Sequence, residues 1–151
     1  MEKSYAIITG ASGSMGSVAV AEIASAGYPV VMACRNLEKG EAVRQKILTR
    51  VPNAELHLHK LEIGNIKSVI EFAEQMESGI AYLFNNAGVI SRGYQLNQDG
   101  FENTMAVNYL GPYLLTRLLQ NKMNEDAHIV NMVSLTHRYG KIRDDFFNRK
   151  Q

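Results

Sequence analysis

The residues best suited to chemistry come early in the chain, where small and flexible residues follow a short apolar run. The run is Tyr5–Thr9, after which Gly10, Gly13 and Gly16 recur at intervals of three residues. A glycine permits a tight turn, small side chains at positions 11 to 14 leave room for a pyrophosphate, and the free N–H groups of a following helix attract anions. The alternative is a tight turn that binds no ligand. The position of this turn directly after the first predicted strand favours phosphate binding.

A basic residue follows the second apolar run, in the stretch "MACRNLEKG". In a dinucleotide site, an acidic residue at this point bonds the ribose 2′-hydroxyl of NAD, whereas an arginine accommodates the 2′-phosphate of NADP. Here no acidic residue ends the strand, Arg35 follows it directly, and Lys39 comes one helical turn later. Arg35 capping a surface loop is the alternative. Because a guanidinium fork suits a phosphate, the sequence favours NADP over NAD.

The elements that hold these residues alternate along the whole chain. Short apolar or alternating runs predict five strands: "YAIIT", "YPVVMAC", "AELHLHKLEI", "IAYLFNNAG" and "AHIVNMVS". Helical spacing predicts four helices between them: "MGSVAVAEIASAG", "LEKGEAVRQKILTR", "NIKSVIEFAEQM" and "FENTMAVNYLGPYLLTRLLQ", the last kinked at Gly111-Pro112. Strict alternation implies right-handed crossovers, and therefore one α/β domain over residues 1–151 with a doubly wound parallel sheet and helices on both faces.

Composition and charge narrow the classes of function. Hydrophobic residues make up 46% and charged residues 21%, and the net charge of +1 gives no electrostatic case for nucleic acid or a membrane surface. The single cysteine, Cys34, excludes an internal disulfide, and the four histidines lack the neighbours of a metal site. No run approaches the ~20 apolar residues of a membrane span, and no signal peptide is evident. We therefore expect a cytoplasmic protein without a metal.

Two motifs resemble those of one enzyme family. The turn from Thr9 to Gly16 is similar to the Thr-Gly-x-x-x-Gly-x-Gly fingerprint of the short-chain dehydrogenase/reductase family, with Ser14 at the middle glycine and Gly13 one position earlier. The "NNAG" of Asn85 to Gly88 matches the family's Asn-Asn-Ala-Gly motif, and "ACRNLEKGEA" resembles retinol-dehydrogenase-like members, which prefer NADP. The resemblance covers essentially the whole chain and implies a Rossmann-type sheet with strand order 3-2-1-4-5.

The resemblance also implies roles for individual residues. Glu62 stands where the family commonly has an aspartate beside the adenine ring. Asn108 corresponds to an asparagine that holds a water in a proton relay, and Ser134 to the catalytic serine that hydrogen-bonds the substrate oxygen. The predicted cofactor-binding residues are Gly10, Ser12, Gly13, Ser14, Met15, Gly16, Arg35, Glu62, Asn86, Ala87 and Gly88.

The family's catalytic tyrosine, with a lysine four residues later, is missing from the chain. None of the seven tyrosines has a lysine at that spacing, and the nearest cases are Tyr113 and Tyr139, followed by Arg117 and Arg143. The resemblance places the motif beyond Gln151, because "HRYGKIRDDFF" is similar to an insert that precedes it in retinol-dehydrogenase-like members. The last strands of the family's sheet and the substrate-binding region are expected there too.

We therefore expect the cofactor-binding half of an NADP-dependent oxidoreductase that interconverts an alcohol and a ketone or aldehyde. A truncated, noncatalytic nucleotide-binding module is the alternative, and an α/β domain with an empty groove is a third. The expected partners are a small-molecule carbonyl or alcohol substrate and further copies of the chain in a homo-oligomer. The fifth strand should expose an apolar edge, "HIVNMV", that promotes dimerisation or aggregation.

Overall fold

A five-stranded parallel sheet is the centre of the structure, a computed structural model that describes residues 4–141. The strands lie in the order β3-β2-β1-β4-β5, which confirms the predicted doubly wound arrangement. Their bounds are β1 Tyr5–Thr9, β2 Val30–Cys34, β3 Leu56–Lys60, β4 Ile80–Asn85 and β5 Met123–Asn131.

Helices connect the strands. Their bounds are α1 Ser14–Ser25, α2 Leu37–Arg50, α3 Ile66–Gln75, α4 Asn103–Met105 and α5 Gly111–Leu119. A π-helical segment, Ala106–Leu110, joins α4 to α5, and 3-10 turns occupy Gln120–Lys122 and Leu135–Tyr139. No helix among residues 4–141 combines the length and the apolar character needed to cross a membrane.

Apolar cores lie on both faces of the sheet. Ile7 and Leu83 face one core with Phe72 of α3 and Leu115 of α5. Neighbouring strand residues face the opposite way, and the second core brings Ile8 together with side chains of α1 and α2. Because β1 and β2 are covered on both sides, their sequences are continuous apolar runs rather than alternating ones. Because all the strand pairs are parallel, the carboxyl ends of the strands lie at one edge of the sheet.

The predicted irregularity in the long helix is a π-helical segment. The backbone N–H of Gly111 bonds to the carbonyl of Ala106, five residues earlier, and Pro112 has no N–H to continue the ladder. A Cβ on Gly111 would overlap the carbonyl oxygen of Ile63, so the glycine lets α5 press against the loop after β3. The helix begins at Asn103 rather than Phe101, because the Glu102 carboxylate caps it.

The fifth strand differs from its predicted bounds. The sequence predicted residues 127–134, whereas β5 starts at Met123 and ends at Asn131. The register pairs Met123 with Ile80 and resumes at His128 with Tyr82, so the polar start of β5 falls in an irregularity that the sequence pattern did not indicate. In the described part of the chain β5 pairs with β4 alone, and Ile129 and Val130 are 43% and 39% exposed.

We predict that this edge drives self-association. Substituting Ile129→Lys should lower the associated fraction, because a charge on an edge strand opposes further strand pairing. Light scattering across a range of concentrations measures this. Ile90→Lys is the matched control, since Ile90 is 95% exposed in a loop. A wild-type protein that stays monomeric at high concentration would contradict the prediction.

Candidate functional site

The glycine spacing of the first turn follows from how closely three segments approach one another. Gly10 has a φ of 65°, and a Cβ there would lie 2.9 Å from the Cα of Ala87. The N–H of Gly13 closes the turn by donating to the Gly10 carbonyl at 2.9 Å. A Cβ on Gly16 would overlap that same carbonyl oxygen and lie 2.8 Å from Nδ2 of Asn86. Larger residues at Gly10 and Gly16 would therefore force β1, α1 and the loop after β4 apart.

The N-terminus of α1 differs from those of the next two helices. Asn36 caps α2 by accepting from the N–H of Lys39, and Asn65 caps α3 by accepting from the N–H of Ser68. The cap of α1 is Gly13, which has no side chain to do this, and the first turn holds no acidic residue. The first N–H groups of a helix lack acceptors within it and carry a partial positive charge. The turn thus leaves donors for an anion, and a diphosphate fits this chemistry.

Thr9 fastens the turn to the loop after β4, although the sequence did not single it out as a site residue. Its fully buried hydroxyl donates to the carbonyl of Phe84 at 3.2 Å and accepts from the backbone N–H groups of Asn86 and Ala87, both at 3.0 Å. The Asn86 amide donates to the Thr9 carbonyl at 2.9 Å. The signals in the sequence are a hydroxyl at the end of an apolar strand and the position of Thr9 as the first residue of the family's fingerprint.

A groove of about 580 Å³ opens at this edge of the sheet, a volume within the range of small-molecule sites. It is lined by every predicted cofactor-binding residue: Gly10, Ser12, Gly13, Ser14, Met15, Gly16, Arg35, Glu62, Asn86, Ala87 and Gly88. That these residues bind a cofactor stays a prediction. Lining residues that the sequence did not assign to the site include Gly64, Asn65, Val89, Asn97, Gln98 and Asn103.

Basic side chains lie where the groove passes the end of β2. Arg35 and Lys39 both line it and are exposed, and within residues 4–141 neither forms an ion pair with a carboxylate. Lys60 donates from Nζ to the carbonyl of Arg35, which adds a third positive charge nearby. The exposed carboxylate of Glu62 lies further along, after β3. Two cations free to meet a phosphate therefore line this end of the groove.

Cys34 lies beneath the turn. Its side chain is fully buried, and burial raises the pKa of the thiol, although a hydrogen bond with Ser12 acts in the opposite direction. A Cβ on Gly40 of α2 would lie 3.2 Å from its sulfur, so the thiol packs tightly between the turn and α2. Cys34 is thus a neutral, apolar part of the core between the turn and α2.

The two predicted catalytic residues do not line the groove. The Asn108 amide donates to the carbonyl of Val89 and accepts from its N–H, both at 2.8 Å, so this side chain holds the loop after Gly88. Ser134 is exposed, three residues beyond β5. Tyr139 is 86% exposed, and Arg143 lies outside the described residues, as does most of "HRYGKIRDDFF". The roles proposed for Asn108 and Ser134 stay predictions.

Comparison with known proteins agrees with this geometry. The family model for short chain dehydrogenases matches residues 4–144. The chain belongs to the short-chain dehydrogenase family. Retinol dehydrogenase 11 of Homo sapiens is 40% identical over 141 residues, which make up 90% of this short-chain dehydrogenase sequence and 44% of that protein. The chain thus spans less than half the length of such curated relatives.

Solved structures support the same assignment. An uncharacterized protein from Mycobacterium Paratuberculosis superposes with a TM-score of 0.86 and 32% identity, covering 98% of this chain and 53% of the other. A metagenomic short-chain oxidoreductase, solved in complex with NADP, superposes with a TM-score of 0.70 and 28% identity over 87% of this chain and 62% of its own. The resemblance to the retinol-dehydrogenase-like members of the short-chain dehydrogenase family is therefore confirmed.

We predict that Thr9→Val lowers the free energy of unfolding by about 2 kcal/mol, because it leaves the Ala87 N–H without its acceptor and the Asn86 N–H with the Phe84 carbonyl alone. Thr9→Ser is the matched control, since it keeps the hydroxyl and should retain most of the stability. Urea denaturation followed by circular dichroism measures both. Equal stabilities of the valine and serine variants would show that the hydroxyl does not hold the two loops together.

Proposed function

We propose that this chain is the NADP-binding half of an oxidoreductase that interconverts an alcohol and a ketone or aldehyde. The observation that carries the proposal is the uncapped N-terminus of α1 beside the glycine turn, in a groove that also holds Arg35 and Lys39. When bound, the nicotinamide cofactor supplies the centre that gains or loses hydride.

The main chain from Gly10 to Gly16 would hold the diphosphate, which needs donors and close approach rather than side chains. Arg35 would form charge-assisted hydrogen bonds with the 2′-phosphate, with Lys39 as a second cation. Glu62 would lie beside the adenine ring. The preference for NADP is supported by the free cations at the end of β2 and by the NADP found in the related metagenomic oxidoreductase.

The catalytic step belongs to the whole protein. Ser134 would hydrogen-bond the substrate oxygen, and Asn108 would serve the proton relay. Because the relatives at about 40% identity are named retinol dehydrogenases, retinol-like alcohols are the first substrates to test. A cytoplasmic location and a homo-oligomeric state are part of the same proposal.

A noncatalytic nucleotide-binding module is the second candidate, favoured by a groove lined by the predicted cofactor-binding residues but by neither Ser134 nor Asn108. The mass of the protein in cells separates the two candidates. A product near 16.8 kDa supports the module, and a markedly heavier one supports the oxidoreductase.

We predict that the protein binds NADPH more tightly than NADH, and that Arg35→Ala removes most of the difference. A hydrogen bond to a charged group is worth about 1.5–3 kcal/mol, so the loss of NADPH affinity should be about tenfold or more, with little change for NADH. Fluorescence titration with each nucleotide measures this.

Arg44→Ala is the matched control, because Arg44 pairs with Glu41 on α2 and does not line the groove. It should leave both affinities unchanged. If the wild-type protein bound neither nucleotide, the proposed function would be wrong. If it bound both equally, only the preference for NADP would be wrong.

A further inference from the structure

Two loops that are distant in sequence meet at one wall of the groove. The first follows β3 and contributes Gly64 and Asn65, and the second follows β4 and contributes Asn97 and Gln98. Within residues 4–141, two hydrogen bonds join these loops. Nδ2 of Asn97 donates to the Gly64 carbonyl at 2.6 Å, and the N–H of Ile66 donates to Oδ2 of Asp99 at 2.9 Å. We call these two bonds the latch.

The side-chain oxygen and the backbone groups of Asn97 fix the turn around it, and this holds its amide nitrogen in position for the contact with Gly64. Its Oδ1 accepts from the N–H groups of Asp99 at 3.1 Å and Phe101 at 2.9 Å. Its backbone N–H donates to the carbonyl of Phe101, and its carbonyl accepts from Gly100, which has a φ of 82°. Residues 97–101 therefore form a small preformed turn with the Asn97 amide pointing at the loop after β3.

Asp99 makes the second bond at the N-terminus of α3, where a negative charge is stabilising. Ile66 is the first residue of α3, so the carboxylate accepts from one of the N–H groups that have no partner within the helix, beside the positive end of its dipole. Asp99 is exposed on the surface, so a substitution there removes the contact without emptying a core.

The latch lies at the adenosine side of the groove. The strand order places β2 and β3 together on one side of β1, and the first half of a doubly wound sheet holds the adenosine end of a dinucleotide. Arg35 follows β2 and Glu62 follows β3, so the wall closed by Gly64 and Asn97 adjoins the region assigned to the 2′-phosphate and the adenine ring.

We propose that Asn97 and Asp99 are positioning residues that hold this wall in place for the adenosine half of the cofactor. The inference rests on the proposed function. Without the latch, the loop after β4 must be ordered again each time the cofactor binds. The affinity for any ligand that carries the adenosine half should therefore fall, whether or not a nicotinamide ring is attached.

The test compares Asn97→Ala, Asp99→Ala and Asp99→Asn with the wild-type protein. We expect the two alanine variants to bind NADPH and adenosine 2′,5′-bisphosphate about three- to tenfold more weakly, the effect of roughly one hydrogen bond. Asp99→Asn keeps an acceptor oxygen for the Ile66 N–H and should recover most of the affinity. Isothermal titration calorimetry with the two ligands measures this.

The direction in which ligand affinity changes when Asp99 is substituted distinguishes the latch from the effect of the Asp99 charge alone. Removing a negative charge near an anionic ligand should by itself strengthen binding. The latch instead requires Asp99→Ala to weaken it, while Asp99→Asn, which removes the same charge, should bind nearly as the wild type does. Tighter binding by both variants would overturn the proposal.

Hydrogen exchange in the ligand-free protein gives a readout that does not involve the cofactor. The Ile66 amide should exchange faster in Asp99→Ala, and also in Asn97→Ala, although the Asn97 side chain bonds to Gly64 and the Ile66 amide to Asp99. Asn124→Ala is the matched control, because its side chain makes a partly buried bond to Ser4 at the opposite edge of the sheet. It should change neither exchange at Ile66 nor affinity.

The outcomes distinguish the two proposals. A wild-type protein that binds neither ligand overturns the proposed function and this inference together. Wild-type binding that both alanine variants retain, even with faster exchange at Ile66, overturns the inference alone. A loss of affinity for NADPH but not for adenosine 2′,5′-bisphosphate would place the effect at the nicotinamide end and also overturn it.

Discussion

The close approach of backbone to backbone around Gly10 is the constraint on which the rest of the site depends. The β1 turn, the start of α1 and the loop after β4 meet with no room for a Cβ at Gly16, and the Thr9 hydroxyl satisfies the two N–H groups that this approach buries. A phosphate-sized ligand fits that arrangement, because bare main chain can bring several N–H donors to one point. The two covered faces of the sheet keep the three segments in place.

The parts of the fold set by local chemistry could be predicted from the sequence. The bounds of β1 and α2 coincide with the predicted ones, because a glycine ends the strand and Asn36 begins the helix with a side-chain cap. The glycine turn, Arg35 and "NNAG" were recognisable for a similar reason. Each lies at the end of a predicted strand or directly after it, and each contributes residues to one groove.

Features that depend on contacts distant in sequence could not be predicted. The start of β5 is anchored by the pairing of Met123 with Ile80 before an irregular register, which no period in "MNED" reveals. Asn97 and Asp99 are typical turn residues by sequence, and their bonds to Gly64 and Ile66 span 33 positions. Asn108 matched a family position, yet the partner that occupies its amide, the backbone of Val89, follows only from the folded chain.

The helix N-termini at the groove explain why one ligand orientation is favoured over others. An anion seeks unpaired N–H groups, and side chains accept from some of them at the next two helices: Asn36 from one in α2, and Asn65 and Asp99 from two in α3. At the start of α1, Gly13 provides no side-chain acceptor, so in the proposed binding mode this helix would attract the diphosphate and the cations after β2 would attract a second phosphate. A dinucleotide held at these two points must direct its adenosine half toward β3. The opposite half then points toward β4 and β5, the side of the sheet on which Ser134 follows the last strand.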